Sequence, residues 1–212
     1  MKKMLVLLFL ITFTNVVRAY DALIDGVYYN LYQSSSIAVV TNEKDYVING
    51  SDIYSGTIEI PETIQFNGKM YKVTEIGKYA FFGSKISSVS LPNSITTIGG
   101  SVFSYCSSLT SITIPNSVTT VGSAFSFCTS LSSVIIGNSV TSFVQEDGFR
   151  GCTALTTITS LAMTAPIIKN TTFTNIKENG TLYVPIGSTG YDVWMGTSNY
   201  YLGKYNWTKV EQ

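Results

Sequence analysis

"LTSITIPNSVTTVGSAFSFCTS", Leu109–Ser130, contains no histidine, no acid and no base. Aliphatic side chains alternate with hydroxyls through Ser111-Ile112-Thr113-Ile114, the period-2 pattern of a short strand with one buried face. Pro115 ends that strand because it has no N–H to give a ladder bond. Asn116-Ser117 supplies turn chemistry, Val118 and Val121 bring the chain back across a core, and Gly122 permits a tight bend. Ala124-Phe125 then inserts a ring. The expected inward residues are Leu109, Ile112, Ile114, Val118, Val121, Phe125 and Cys128. A unit of this size cannot bury its apolar face alone, so it must stack on copies of itself.

The copies are present on both sides. Phe recurs at 81, 103, 125, 149 and 173, with spacings of 22, 22, 24 and 24. A pair of residues two apart recurs at Val89/Leu91, Ile112/Ile114, Val134/Ile136, Ile158/Ser160 and Leu182/Val184, with spacings of 23, 22, 24 and 24. Cys106, Cys128 and Cys152 each follow their Phe by three residues. Three landmarks with one period point to a solenoid. The element Leu109-x-x-Ile112-x-Ile114, repeated at Leu131 and Leu155, has leucine-rich character. The expected fold is mainly β: a right-handed leucine-rich-repeat solenoid of about five to six turns of 22–24 residues, with an N-terminal β-hairpin cap and an aromatic C-terminal cap.

The motifs L-x-S-I-x-I-P-N-S-V-T-x-[IV]-G and A-F-x-x-C resemble those of the BspA-like leucine-rich repeat family of bacterial secreted and surface proteins, members of which also occur in some parasitic protists. The likeness covers about residues 57–184. Tyr54–Glu62 with Asn67–Gly77 is similar to the opening repeat of Bacteroides-type members, and Thr181–Pro185 to their closing repeat. Three departures stand out. Ser84 sits where later turns carry Cys, Gly137 replaces the turn Pro, and the turn from Leu155 reads "SLAMTAPIIKN" where the others read P-N-S-V-T. The resemblance implies a non-enzymatic interaction module engaged in adhesion to host proteins, matrix proteins or other bacteria.

The flanks divide the chain further. Met1–Lys3 is basic, Met4–Phe13 is apolar, and Val17-Arg18-Ala19 ends on a small residue, which reads as a secretory signal peptide over 1–19. Residues 20–56 read as a β cap, with "LIDGVYYNLY" and "IAVVTN" forming a hairpin around Gln33–Ser36. Asn67-Gly68 signals a second, two-residue hairpin that lengthens the first repeat. Residues 185–212 read as the C-terminal cap, rich in Tyr and Trp. Cleavage after Ala19 would leave 13 acids against 10 bases, a net charge of −3. There is no basic stripe, so nucleic acid is not an expected partner. After the leader no apolar stretch is long enough to span a bilayer. The sequons at Asn49, Asn170, Asn179 and Asn206 matter only in a eukaryotic host.

Chemistry is scarce. With no histidine among 212 residues, Ser-His and Cys-His pairs and His-based metal sites are excluded. Between Lys78 and Ile176 the only acids are Glu146 and Asp147, which do not make the converging carboxylate pair of a glycosidase. No enzyme, no metal and no cofactor is expected. The three Cys share one position per turn and should stack about 4.8 Å apart. They are either buried thiols or a single bridge, Cys106–Cys128 or Cys128–Cys152.

Candidate binding residues fall in three places. The outward strand face presents Ser88, Ser90, Ser111, Thr113, Ser133, Ile135, Thr157 and Thr159. The charged insertion "VQEDGFRG" over 144–151 carries Glu146, Asp147 and Arg150. The C-terminal aromatics include Trp194, which is either a lid over the last turn or an exposed platform for a sugar or protein. The leading function is a secreted or cell-surface module that binds an extracellular protein or glycan, with the periplasm as the other compartment. The alternative is a carbohydrate-binding or envelope-associated structural protein using the aromatic segment. Ice binding is a third class, disfavoured because the hydroxyl rows are irregular.

Overall fold

The computed structural model of the chain describes residues 20–42 and 54–212. The expected leader and Asn49 lie outside those residues. Short alternating segments become short strands, each ended by the turn chemistry that follows it. β1 (Ala22–Ile24), β2 (Val27–Tyr32) and β3 (Ile37–Thr41) open the chain, followed by β4 (Ser55–Glu59), β5 (Thr63–Phe66) and β6 (Lys69–Ile76). β7 (Lys85–Ser90), β8 (Thr97–Ile98), β9 (Ser111–Ile114), β10 (Thr120–Val121), β11 (Ser133–Ile136) and β12 (Ser142–Phe143) form the middle. β13 (Thr157–Ser160), β14 (Thr181–Val184) and β15 (Thr208–Glu211) close it. Among the described residues there is no α-helix, and one 3-10 turn spans Leu202–Tyr205.

The turns stack their strands into two parallel ladders, which overlap in the middle turns. The first runs β9-β11-β13-β14-β15, and the second β3-β6-β8-β10-β12. In the first ladder Ile112, Val134, Ile158 and Leu182 are register partners facing inward. In the second, Ile76, Ile98, Val121 and Phe143 are partners. β4 and β7 pair with each other and stand beside β9. β7 lies outside the register of the first ladder, and its own pairing with β4 shifts between Gly56 and Thr57. The Thr110 N–H still bonds the Ser87 carbonyl across the junction of β7 with β9, at 3.3 Å.

The core is a stack of rings. Phe81, Phe103, Phe125, Phe149 and Phe173 lie 5.4, 5.5, 5.3 and 5.8 Å apart, with planes within 6° of parallel. Tyr54 meets Phe81 at one end (4.8 Å) and Trp194 meets Phe173 at the other (5.3 Å), both tilted across the stack. The polar tips find partners: Tyr54 Oη–H donates to the Thr41 carbonyl at 2.8 Å, and Trp194 Nε1–H to the Pro166 carbonyl at 3.0 Å. Ser160 stands where other turns bury an aliphatic. Tyr191 accounts for it: its hydroxyl donates to the Ala162 carbonyl (2.9 Å) and accepts from Ser160 Oγ–H (2.6 Å).

Two hairpins extend the solenoid. Asn67-Gly68, with φ of 48° and 78°, turns β5 into β6, as its sequence signals. "LIDGVYYNLY", which reads as one strand, breaks at Asp25-Gly26, with φ of 49° and 80°, giving the β1–β2 hairpin. The β2–β3 hairpin around 33–36 is present. Its second strand pairs in parallel with β6, so β3 is already the first rung of the second ladder. β15 carries no inward aliphatic pair to mark it in the sequence. It adds a rung within the segment read as a cap, and its inward positions carry Lys209 and Glu211, register partners of Leu182 and Val184.

The cysteines are three free, buried thiols, so the bridged alternative does not hold. Cys106, Cys128 and Cys152 Sγ–H donate to the carbonyls of Phe81, Phe103 and Phe125, at 2.9, 2.9 and 3.1 Å. Each thiol therefore clips its turn to the preceding one. Burial pushes the Cys106 and Cys152 thiols up to about 12 and Cys128 well above its ordinary value.

Candidate functional site

The outward face of the first ladder has two columns. Ser111, Ser133, Thr157, Thr181 and Thr208 are register partners in one, and Thr113, Ile135, Thr159, Tyr183 and Val210 in the other. Six of the expected residues are thus brought together. Ser88 and Ser90 lie on β7, next to this sheet but outside its register. Thr181, Tyr183, Thr208 and Val210 extend the face beyond the expected set. The first two were legible, since they alternate with the landmark pair Leu182/Val184. The last two were not, because Lys209 and Glu211 occupy the positions where an aliphatic would mark a strand.

Not all the hydroxyls are free to serve a ligand. Beside the strands, Thr110, Ser132 and Thr156 donate their side-chain O–H to the carbonyls of Ser87, Thr110 and Ser132, at 3.4, 3.0 and 3.4 Å. Thr141 does the same to Thr119 at 3.1 Å. Much of the Ser/Thr richness therefore stitches one turn to the next. Ile135 differs, because it is an aliphatic side chain with 39% exposure on a face of hydroxyls.

The 144–151 insertion is a loop across the edge of the coil. Asp147 accepts from Arg150 Nη1 at 3.2 Å, and its backbone carbonyl accepts from Ser126 Oγ. Gln145 Oε1 accepts from the Ser123 N–H at 3.3 Å. Glu146 is exposed and has no ion-pair partner among the described residues. The loop overlooks a shallow groove of about 400 Å³ whose other wall includes Phe82, Tyr105 and Phe127.

These rings form a second, outer row. Phe82 and Tyr105 are 5.4 Å apart and tilted; Tyr105 and Phe127 are 4.9 Å apart and nearly parallel. Tyr105 (φ 63°) and Phe127 (φ 58°) sit two residues after their core Phe in left-handed backbone. The equivalent positions in the flanking turns are Gly83, Gly151 and Asn175, also at positive φ. Gly and Asn take that conformation cheaply, whereas a bulky residue is strained there by roughly 1–2 kcal/mol. This row was missed in the sequence because its rings come from two different positions of the repeat, with Phe82 one residue earlier in its turn than Tyr105 and Phe127 are in theirs.

Trp194 is a lid over the ring stack and not the exposed platform that was the other reading. It is 1% exposed, wedged against Phe173, Phe143 and Tyr191, with its indole N–H already bonded. Trp207 is buried too, its Nε1–H donating to the Lys177 carbonyl at 2.8 Å. Neither indole offers a platform. Among the described residues no three Cys, Asp or Glu side chains are placed to hold a metal ion, and no helix is long and apolar enough to cross a membrane.

Comparison with known proteins agrees with the geometry. The family model of the BspA type leucine-rich repeat region matches residues 27–156 in six copies, more than half of the chain, and reaches back into β2 and β3. A solved leucine-rich repeat protein from Bacteroides capillosus is similar at 27% identity and a TM-score of 0.53, over 65% of this chain and 95% of that one. Another, from Bacteroides ovatus, shares the fold at 21% identity and a TM-score of 0.59, over 91% of this chain and 53% of that one. A search of curated proteins finds no significant relative.

Proposed function

Because the chain belongs to the BspA-type leucine-rich repeat family, we propose that it is a secreted or cell-surface, non-enzymatic interaction module. It binds an extracellular protein, in an adhesive role, through the outer face of the first ladder. The observation that carries this reading is the column Thr113–Ile135–Thr159–Tyr183–Val210, in which apolar side chains stand out of a hydroxyl surface along five parallel strands. Exposed apolar and aromatic anchors rimmed by short polar groups are the usual core of a protein interface, and solenoids present such surfaces without rearrangement. The basic start and apolar run at the N-terminus support export. The carbohydrate alternative loses its platform with the burial of Trp194.

The test is capture of host matrix proteins on the immobilised chain, compared with an Ile135→Asp, Tyr183→Ala variant. The wild type should retain specific proteins that the variant loses. Retention that is identical in both would remove the strand face as the binding surface, and retention of nothing would remove the adhesive role.

A further inference from the structure

With Tyr79 added beside Phe82, the outer ring row carries a cation at each end. Lys78 Nζ lies 4.7 Å from the Tyr79 ring centre, and Tyr79 meets Phe82 edge-on. At the other end the Arg150 guanidinium lies 5.6 Å from the centre of Phe127, held there by Asp147. Each end is thus a ring with a cation upon it, within the range of a cation–π contact. Between the two ends Tyr105 is 52% exposed, and no cation covers it among the described residues. The exposed, unpaired carboxylate of Glu146 lines the same groove. The floor between them is made of short hydroxyl residues, Ser101, Ser104, Ser123 and Ser126, which leave the groove open across neighbouring turns.

We infer that this groove is a second binding surface, which takes an extended polypeptide segment bearing arginine. A partner guanidinium lies on Tyr105 and reaches the Glu146 carboxylate across the groove, the same pairing of ring, guanidinium and carboxylate that Phe127, Arg150 and Asp147 make beside it. Arginine suits this place better than lysine, because its planar group can lie along a ring while donating to a carboxylate. The backbone agrees with that role. Tyr105 and Phe127 occupy left-handed positions that neighbouring turns fill with Gly or Asn, and strained positions of this kind gather at binding sites. The groove occupies a different stretch of each turn from the strand face, so the two surfaces stand or fall separately.

The experiment is a low-salt fluorescence titration of the full chain with a labelled peptide of alternating Gly and Arg. Controls are the Gly-Glu counterpart and a neutral oligosaccharide. The basic peptide should bind, and Tyr105→Asn and Glu146→Gln should each weaken it about three-fold or more. Ile135→Asp on the strand face should leave it unchanged. Asn is the residue found at the equivalent position 175, so the Tyr105 variant keeps the backbone, and its melting curve verifies the fold. Binding of the basic peptide that is equal in wild type and both variants would overturn the site, as would no binding. Preference for the oligosaccharide would overturn the assigned partner.

Discussion

Phe103 and Tyr105 are two residues apart and of nearly equal size, yet their removal should have different consequences. Phe103 is fully buried between Phe81 and Phe125. Its replacement by Ala leaves a cavity in a ring stack that cannot collapse and should cost about 3–5 kcal/mol. At Tyr105, Asn forfeits a partly exposed stack worth roughly 0.5–1.5 kcal/mol but relieves backbone strain of roughly 1–2 kcal/mol. Thermal unfolding should therefore fall sharply for Phe103→Ala and stay within a few degrees for Tyr105→Asn. The thiols give a pH signature. Burial raises Cys106 and Cys152 to about 12, so the folded state favours the protonated form. The associated stability is complete below the ordinary thiol value of 9.0 and is lost as pH rises from there toward about 12. Denaturant midpoints should decline over that interval, and a Cys106→Ala, Cys128→Ala, Cys152→Ala variant should lose that part of the decline. At pH 8 the native thiols should resist alkylation until the chain is unfolded.

Among the elements, the turn after β11 explains a departure visible in the repeat. Other turns place Pro after the strand, as at Pro92 and Pro115, but here the residue is Gly137. A Cβ at 137 would lie 2.4 Å from the Pro115 carbonyl oxygen, so this turn rests on the backbone of the one before it. Gly137→Ala should cost about 1–3 kcal/mol, measured by urea unfolding. A neutral outcome would mean that the two turns can part without penalty. The strands themselves were readable wherever an inward aliphatic recurred every second residue, as in β9, β11 and β14. They were unreadable where that signal is absent. β15 is Thr-Lys-Val-Glu, with charges pointing to the side that earlier rungs fill with Leu182 and Val184, and Lys209 there pairs with Asp192 and Glu211. The break between β7 and β9 leaves no mark in the sequence, because Val89 and Ile112 stand in the same local pattern on either side of it.

For the whole molecule the recurring problem is how a stack of identical rungs stops. At the C-terminal end Trp194 crosses the ring stack and Lys209 and Glu211 replace aliphatics on the last strand. Charges at the core-side positions of an edge strand discourage another chain from adding to it. Replacing both by Leu should convert the edge into a pairing surface, and size-exclusion chromatography should show concentration-dependent self-association absent from the wild type. A monomeric double variant would show that the charges are not what ends the ladder. The sequence by itself determined the period, the inward Phe, Cys and aliphatic columns, the Asn67-Gly68 hairpin and the absence of histidine chemistry. Those features are local, or repeat at a fixed interval, so they need no knowledge of which turn touches which. Tertiary structure alone decided the rest. It buried Trp194, set Lys209 beside Leu182, and aligned Phe82 with Tyr105 and Phe127 beside Glu146. Each of these results depends on where distant turns come to lie against one another, and a side chain's exposure is set by those neighbours as much as by its own chemistry.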